Sequence, residues 1–142
     1  MSGTSKNQTF NPPGHDTWSP TYSHISSTPI SATHKLISFA GQVGGNSTTR
    51  HVPGTLGEQV TLALSNVDRC MAAAGATKAD IIQIRQYVVN LLPQDPVRAK
   101  LYTEWLGDAV KPPSTLIGVQ SLAAPELLYE IEVVAVVESG RG

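Results

Sequence analysis

Glu130 and Glu132 are the residues whose type and spacing point most directly to chemistry. They sit in Tyr129-Glu130-Ile131-Glu132-Val133-Val134-Ala135-Val136-Val137, a β-branched, apolar run that reads as a strand. Alternate residues of a strand share a face, so the two carboxylates point the same way, about 6.6–7 Å apart. Tyr129, Ile131, Val133 and Ala135 take the other face and are apolar enough to lie beneath helices. Two carboxylates on the opposite face need water, a cation or a partner subunit. Glu130 is either a solvated strand carboxylate or, if burial raises its pKa, an acid fit to move a proton or activate water. Glu132 reads as the structural member of the pair, with Arg85 as its candidate partner across the sheet or between subunits.

Other reactive residue types offer less. His15, His24, His34 and His51 lack metal-ligand spacing, and no metal is expected. Gly41-Gln42-Val43-Gly44-Gly45 has neither the Lys-Ser or Lys-Thr sequel of a phosphate loop nor a dinucleotide fingerprint, so no cofactor is expected either. Cys70 is the single cysteine and falls in a helical pattern beside Met71, where both read as core. An intrachain disulfide is impossible, and a reducing, cytoplasmic setting is the simpler expectation. The formal net charge is −1 and the basic residues are scattered, which argues against nucleic acid as a partner. No apolar stretch approaches the roughly 18 residues of a membrane span, and the amino terminus lacks the charged and apolar regions of a signal peptide.

The elements that must position Glu130 follow from pattern. With 142 residues the chain fits one domain with one core, expected over 18–138. Residues 1–17, rich in Ser, Thr, Asn, Pro and Gly, read as a flexible tail or extended arm, and 139–142 as a disordered tail. An edge strand is expected near Tyr22-Ser23-His24-Ile25, and a clearer one over Lys35 to Ala40, running into glycines placed for close backbone approach or positive φ. Thr55-Leu56-Gly57-Glu58 matches a capping box. Val60, Leu64, Val67 and Met71 then recur at helical spacing, and Gly75 is placed to close the helix. Asp80 to Asn90 alternates as a strand, with Ile82, Ile84 and Val88 on one face and Gln83, Arg85 and Tyr87 on the other. Asp95-Pro96 starts a second helix whose buried stripe is expected to be Val97, Leu101, Trp105 and Leu106, ending near Gly107. Pro112 to Leu122 and Leu127 to Val137 read as the last two strands. Two helices cannot cover both faces of such a sheet, so both are expected on one face, with the other buried by self-association.

The order of these motifs resembles the Rid (YjgF/YER057c/UK114) family of small trimeric proteins, which includes reactive-intermediate imine deaminases. The similarity runs from about Tyr22 to Val137. Leu36-Ile37-Ser38-Phe39-Ala40-Gly41-Gln42 looks like the family's strand ending in Ser-Gly-Gln. Glu58-Gln59, Ala63 to Val67 and Ala72 to Ala76 are similar to its first helix and exit, and Tyr102, Pro112 and Glu130-Ile131-Glu132 follow in order. The resemblance implies an α+β fold of the Bacillus chorismate-mutase type, a mixed β-sheet with two helices on one face, assembled as a homotrimer with three clefts between subunits.

Carried over residue by residue, the resemblance implies Tyr22 as the pocket tyrosine and Glu130 as the glutamate that positions attacking water. Ala40-Gly41 takes the place of the family's Ser-Gly, keeping the glycine amide and losing the hydroxyl. The pocket asparagine falls on Ala99 and the pocket cysteine on Leu116. The arginine that holds a substrate carboxylate falls on Ser114, and a serine replaces neither its charge nor its bidentate geometry. No His-Asp arrangement is placed to make Ser114 a nucleophile.

The chain thus looks like an arginine-less branch of the imine deaminase-like proteins. The function implied is a small-molecule enzyme acting on a reactive imine, enamine or enol-like compound by acid-base chemistry, of deaminase/hydrolase or isomerase/cyclase type. Glu130 and Tyr22 would be catalytic, and Gly41, Ala40, Ser114, Leu116 and Ala99 would contact substrate. A non-catalytic metabolite-binding or chaperone-like trimer is the alternative. The endoribonuclease or translation-inhibitor role sometimes attached to the family is disfavoured by the weak basic character.

Overall fold

The computed structural model describes residues 7–108 and 111–140. Its strands are β1 (Gln8–Phe10), β2 (Ile25–Pro29), β3 (His34–Phe39), β4 (Gln42–Val43), β5 (Ile81–Val89), β6 (Ser114–Val119) and β7 (Tyr129–Glu138). The helices are α1 (Leu56–Ala73) and α2 (Pro96–Leu106). All strands join one mixed sheet in the order β1-β2-β3-β7-β5-β6, with β4 paired to β7 beyond the end of β3. Pairing is antiparallel except between β5 and β6, which α2 connects as a parallel crossover.

β7 lies at the centre because its alternation suits both neighbours. Tyr129, Ile131, Val133, Ala135 and Val137 are buried in the core, while Glu130, Glu132, Val134 and Val136 on the other face stay half-buried. The core cluster adds Ile37 and Phe39 from β3, Ile84 and Val88 from β5, and Val60, Ala63, Leu64, Val67, Cys70 and Met71 from α1. The α+β architecture implied by the resemblance is the one found, with both helices packed on this core.

Thr55 caps α1 by accepting from the Glu58 amide at 3.2 Å. The capping box closes differently from the expected form: the Thr55 hydroxyl donates to the Glu58 carboxylate at 2.8 Å. Gly75 ends the helix at φ 71°, where a glycine carries no Cβ penalty. Asp95 caps α2 through the Val97 amide at 2.8 Å. The helices are joined by Trp105, whose indole donates to Asp68 at 2.8 Å.

Two stripes differ from the sequence pattern. A register irregularity between Ile81 and Gln83 resets the alternation of β5, so Ile81 is buried and Ile82 is 46% exposed instead of joining Ile84 and Val88. On α2 the inward positions are Arg98, Leu101, Tyr102, Trp105 and Leu106, so the expected stripe holds at Leu101, Trp105 and Leu106 while Val97 is exposed. Arg98 turns inward because a polar partner waits beneath it: its Nη1 donates to Gln86 Oε1 at 3.0 Å, and Tyr129 donates to the same oxygen at 2.7 Å.

The amino-terminal stretch expected to be a flexible tail over 1–17 is tied down from Asn7 onward. β1 pairs with β2, and Asn11 Oδ1 accepts from the His24 amide at 2.8 Å. The edge strand begins at Ile25, so Tyr22 lies in the turn before it rather than within it. At the other end Ser139 donates to Thr33 O at 2.7 Å, and the disordered tail expected over 139–142 otherwise concerns residues 141–142, outside the described residues.

His15 holds the arm in place. Its ring stacks on His24 with centroids 4.0 Å apart and planes within 7°. Gln42 fixes both tautomers: its carbonyl accepts from His15 Nε2 at 2.9 Å and its amide donates to His24 Nδ1 at 3.1 Å. His24 Nε2 is then left to donate to Asp16 O at 2.8 Å. Burial holds both imidazoles below the ordinary 6.5; Asp16 opposes it at both rings, and Arg69 reinforces it at His15. A histidine that is harder to protonate in the fold contributes stability that is complete above 6.5 and lost as pH falls through the lowered folded value. The melting temperature is therefore expected to fall as pH drops below about 6.5, and His15→Phe, which keeps a flat ring without a titrating group, should flatten that dependence. Thermal melts from pH 8 to pH 5 test this; equal acid sensitivity in the variant would place the titration elsewhere.

Candidate functional site

A cleft of about 520 Å³ opens on the sheet face that carries Glu130. Four of the seven expected site residues line it: Tyr22, Ala40, Gly41 and Glu130. Trp18, Arg50 and Leu127 join them without having been marked by the sequence. Its volume is in the range of pockets that take small organic molecules.

Glu130 faces this cleft because β7 pairs on both sides at that point, with Val43 of β4 and Tyr87 of β5 as register partners. Its carboxyl is partly withdrawn from water, and no described residue supplies it with a hydrogen bond. Burial, followed by the nearby Glu132 charge, pushes its pKa above the ordinary value of 4.5. The carboxylate rests directly on Gly41: a Cβ at that position would lie 1.9 Å from Glu130 Oε2 and 2.7 Å from its carboxyl carbon. Gly41 therefore makes room for the acid by having no side chain.

Glu132, two residues along the same face, has a different environment. Tyr87 donates to its Oε1 at 2.9 Å, and the Arg85 guanidinium stands 3.9 Å away. Donating this hydrogen bond, with burial and the Glu132 charge beside it, pushes the Tyr87 hydroxyl upward in pKa. One carboxylate is thus occupied by structural partners while its neighbour is left bare.

Tyr22 reaches the cleft from the turn before β2, its ring edge-on to His24 at 5.9 Å. The Trp18 amide donates to its hydroxyl oxygen at 3.1 Å, which leaves the O–H proton to serve a ligand. Asn46 folds the loop before α1 on itself: its side chain accepts from Thr48 N and Thr49 N at 3.0 Å each, and its carbonyl from Arg50 N at 2.7 Å. Arg50 stands at φ 66° with its guanidinium 5.3 Å from the Trp18 ring centroid.

Ser114, Leu116 and Ala99 do not line this cleft within one chain. Ser114 is exposed at the start of β6, where its hydroxyl hydrogen-bonds Tyr102. Leu116 packs against the core and Ala99 sits on the exposed side of α2. The seven residues fall into two groups: Tyr22 comes from the turn before β2, Ala40 and Gly41 from the link between β3 and β4, and Glu130 from β7, whereas Ala99 lies on α2 and Ser114 and Leu116 on β6.

His15, His24 and Cys70, which sequence spacing kept apart, also come together: one donor atom from each lies within 4.8 Å of the others, all buried. The arrangement fits a stacked neutral pair better than an ion site. Parallel rings would hold a shared ion out of both planes, both His24 nitrogens are already bonded, and burial pushes the Cys70 thiol up to about 12.

The Gly41 contact yields a prediction. Gly41→Ala must displace the Glu130 carboxyl, a movable side-chain end, so the protein is expected to fold with a loss of less than about 2 kcal/mol while ligand binding in the cleft falls sharply. Urea denaturation beside ligand titration measures both; unchanged binding would show that the carboxylate position does not matter.

Comparison with known proteins gives the family and the fold. The model of the Endoribonuclease L-PSP family matches residues 20–137. A RutC family protein of Aquifex aeolicus is 30% identical over 99 residues, covering 69% of this chain and 78% of the relative. Among solved structures, protein YJGH superposes with a TM-score of 0.79 at 27% identity, covering 94% of this chain and 98% of the other. A Mycobacterium tuberculosis member of the YjgF/YER057c/UK114 family gives 0.72 at 24% identity, over 93% and 100% of the two chains. YyfA of Yersinia pestis, of the Rid family, gives 0.74 at 21%, over 92% and 99%. Since the family model spans residues 20–137 and the fold is shared over 92–93% of the chain, the chain belongs to the YjgF/Rid/L-PSP family.

Proposed function

We propose that the protein is a small-molecule enzyme that acts on a reactive imine, enamine or enol-like compound in this cleft. The observation that carries the reading is Glu130, a bare carboxyl with a raised pKa beside Tyr22 and Gly41. For imine hydrolysis, ionised Glu130 takes a proton from water as the water oxygen bonds to the imine carbon. That proton then passes to nitrogen to give a carbinolamine; the carboxylate next takes the hydroxyl proton and hands it to the same nitrogen, the C–N bond breaks, and the amine leaves as the carbonyl forms. Tyr22 and the Gly41 amide polarise the substrate. For an enamine or enol, the same carboxyl moves a proton between carbon and heteroatom.

Ser114, Leu116 and Ala99 enter this proposal through assembly. A homotrimer would bring them from a neighbouring subunit to the mouth of the cleft and would cover the half-buried sheet face of Val134 and Val136. Without an arginine at Ser114, simple small 2-imino acids are poor substrates and a larger compound is favoured. The activity named in the family's description has less support here, since 10 basic residues face 11 acidic ones and one basic residue lines the cleft.

Two experiments test the proposal. Across a panel of imines and enamines, wild-type turnover is expected to rise with pH through a pKa above 4.5, and Glu130→Gln should abolish it. A raised carboxyl pKa means that ionised Glu130 costs stability as pH rises through the folded value, so Glu130→Gln should also melt higher than wild type at pH 7. A variant that keeps turnover would sink the assignment. In the second, light scattering should give a trimer, and Ser114→Arg should gain about tenfold in affinity for a small 2-oxo acid. A stable monomer, or no gain in a correctly assembled variant, would place Ser114 outside the cleft.

A further inference from the structure

The proposed chemistry leaves one charged group of the cleft unused. Arg50 lines the same cavity as Glu130, and among the described residues no carboxylate lies within ion-pair distance of it. Its position is built. Nη1 donates to Trp18 O at 3.1 Å, and the guanidinium lies over the Trp18 ring. That ring is itself wedged on Gly45, where a Cβ would come within 2.8 Å of it. The loop places Arg50 in the left-handed region, which a glycine or asparagine would occupy at less cost. Arg98, buried beneath α2, also lacks a carboxylate partner, but it is committed to Gln86 and does not line the cleft.

With one edge held by Trp18 O, the remaining N–H groups of a guanidinium are free for an anion, and a planar fork suits a carboxylate. The rest of the wall is largely apolar, formed by Val43, Ala123, Ala124 and Leu127. A second negative charge on the ligand would be repelled by Glu130 once that residue is ionised. We propose that Arg50 holds the anionic end of the ligand, so that the cleft selects monoanionic carboxylates with an apolar, aryl-sized body over small or neutral compounds. This rests on the cleft being the ligand site, and it names which ligands enter.

Binding of unreactive probes tests it apart from catalysis. Calorimetry of the full chain with 3-phenylpropanoate, its neutral isostere 3-phenylpropanamide, and acetate is expected to rank the aryl acid about tenfold tighter than the amide, the gain of a charge-assisted contact at a partly exposed site. Acetate, lacking the body, should bind at least about tenfold more weakly than the aryl acid. In Arg50→Gln the acid should fall to the level of the amide while the amide is unchanged, which also reports that the cleft is intact. Arg50→Lys should keep part of the preference, and added salt should weaken the acid alone. An acid-to-amide ratio unchanged in Arg50→Gln, or equal to one in wild type, overturns the inference and leaves the Glu130 chemistry standing. Turnover that survives Glu130→Gln while the Arg50 result holds sinks the catalytic reading alone. If none of the three probes binds, the cleft is not the ligand site and both fall.

Discussion

The alternation along β7 is the constraint on which the rest depends. Its core-side residues are almost wholly buried, and it pairs with β3, β4 and β5, so its register cannot slip by one residue without driving Glu130 and Glu132 into the core and the apolar set outward. Burying two carboxylates without partners would cost several kcal/mol each. The same physics that makes the core therefore aims Glu130 at the open face.

What surrounds Glu130 is held by buried amides rather than by apolar packing alone. Gln59 of α1 donates to Pro53 O and Glu126 O, both at 2.9 Å, and accepts from Leu128 N at 2.8 Å. Asn66, two turns on, donates to Val43 O at 3.1 Å and Gly45 O at 3.0 Å. Gly44 touches the helix backbone so closely that a Cβ would lie 2.3 Å from Gln59 Cα. These contacts fasten both walls of the cleft, the glycine segment and the segment entering β7, to one rigid helix. A site fixed in this way keeps its geometry before ligand arrives, which is where preorganised acid-base groups gain most.

The two carboxylates show how environment divides chemically identical groups. Glu132 is held by a tyrosine hydrogen bond and faces a guanidinium; Glu130, set against a glycine and an apolar wall, has no such partner among the described residues. The isolated acid costs stability, in keeping with the exchange of stability for function common at sites. Arg50 adds a cation to the same cleft that Glu130 lines.

Period and punctuation in the sequence determined the strands β3, β5 and β7, the caps Thr55 and Asp95, the glycine stop at Gly75 and the face on which Glu130 would lie. Each depends on residues adjacent in the chain or one turn apart, so local geometry suffices. The family resemblance added Tyr22 and Gly41, which the fold does bring beside Glu130. Tertiary structure decided what local pattern cannot hold. Ile82 turned outward because an irregularity in β5 reset the alternation, and Arg98 turned inward because Gln86 lies across the core from it. The polar arm from Asn7 to Thr17 carried no apolar period, yet His15 and Gln42, 27 residues apart, lock it to the sheet. Arg50, read as part of a loop, became the cation of the cleft because Trp18, 32 residues earlier, offers its carbonyl and ring face. Contacts of that separation have no periodic trace in a sequence, since the chain between them is free to take any path that the core permits.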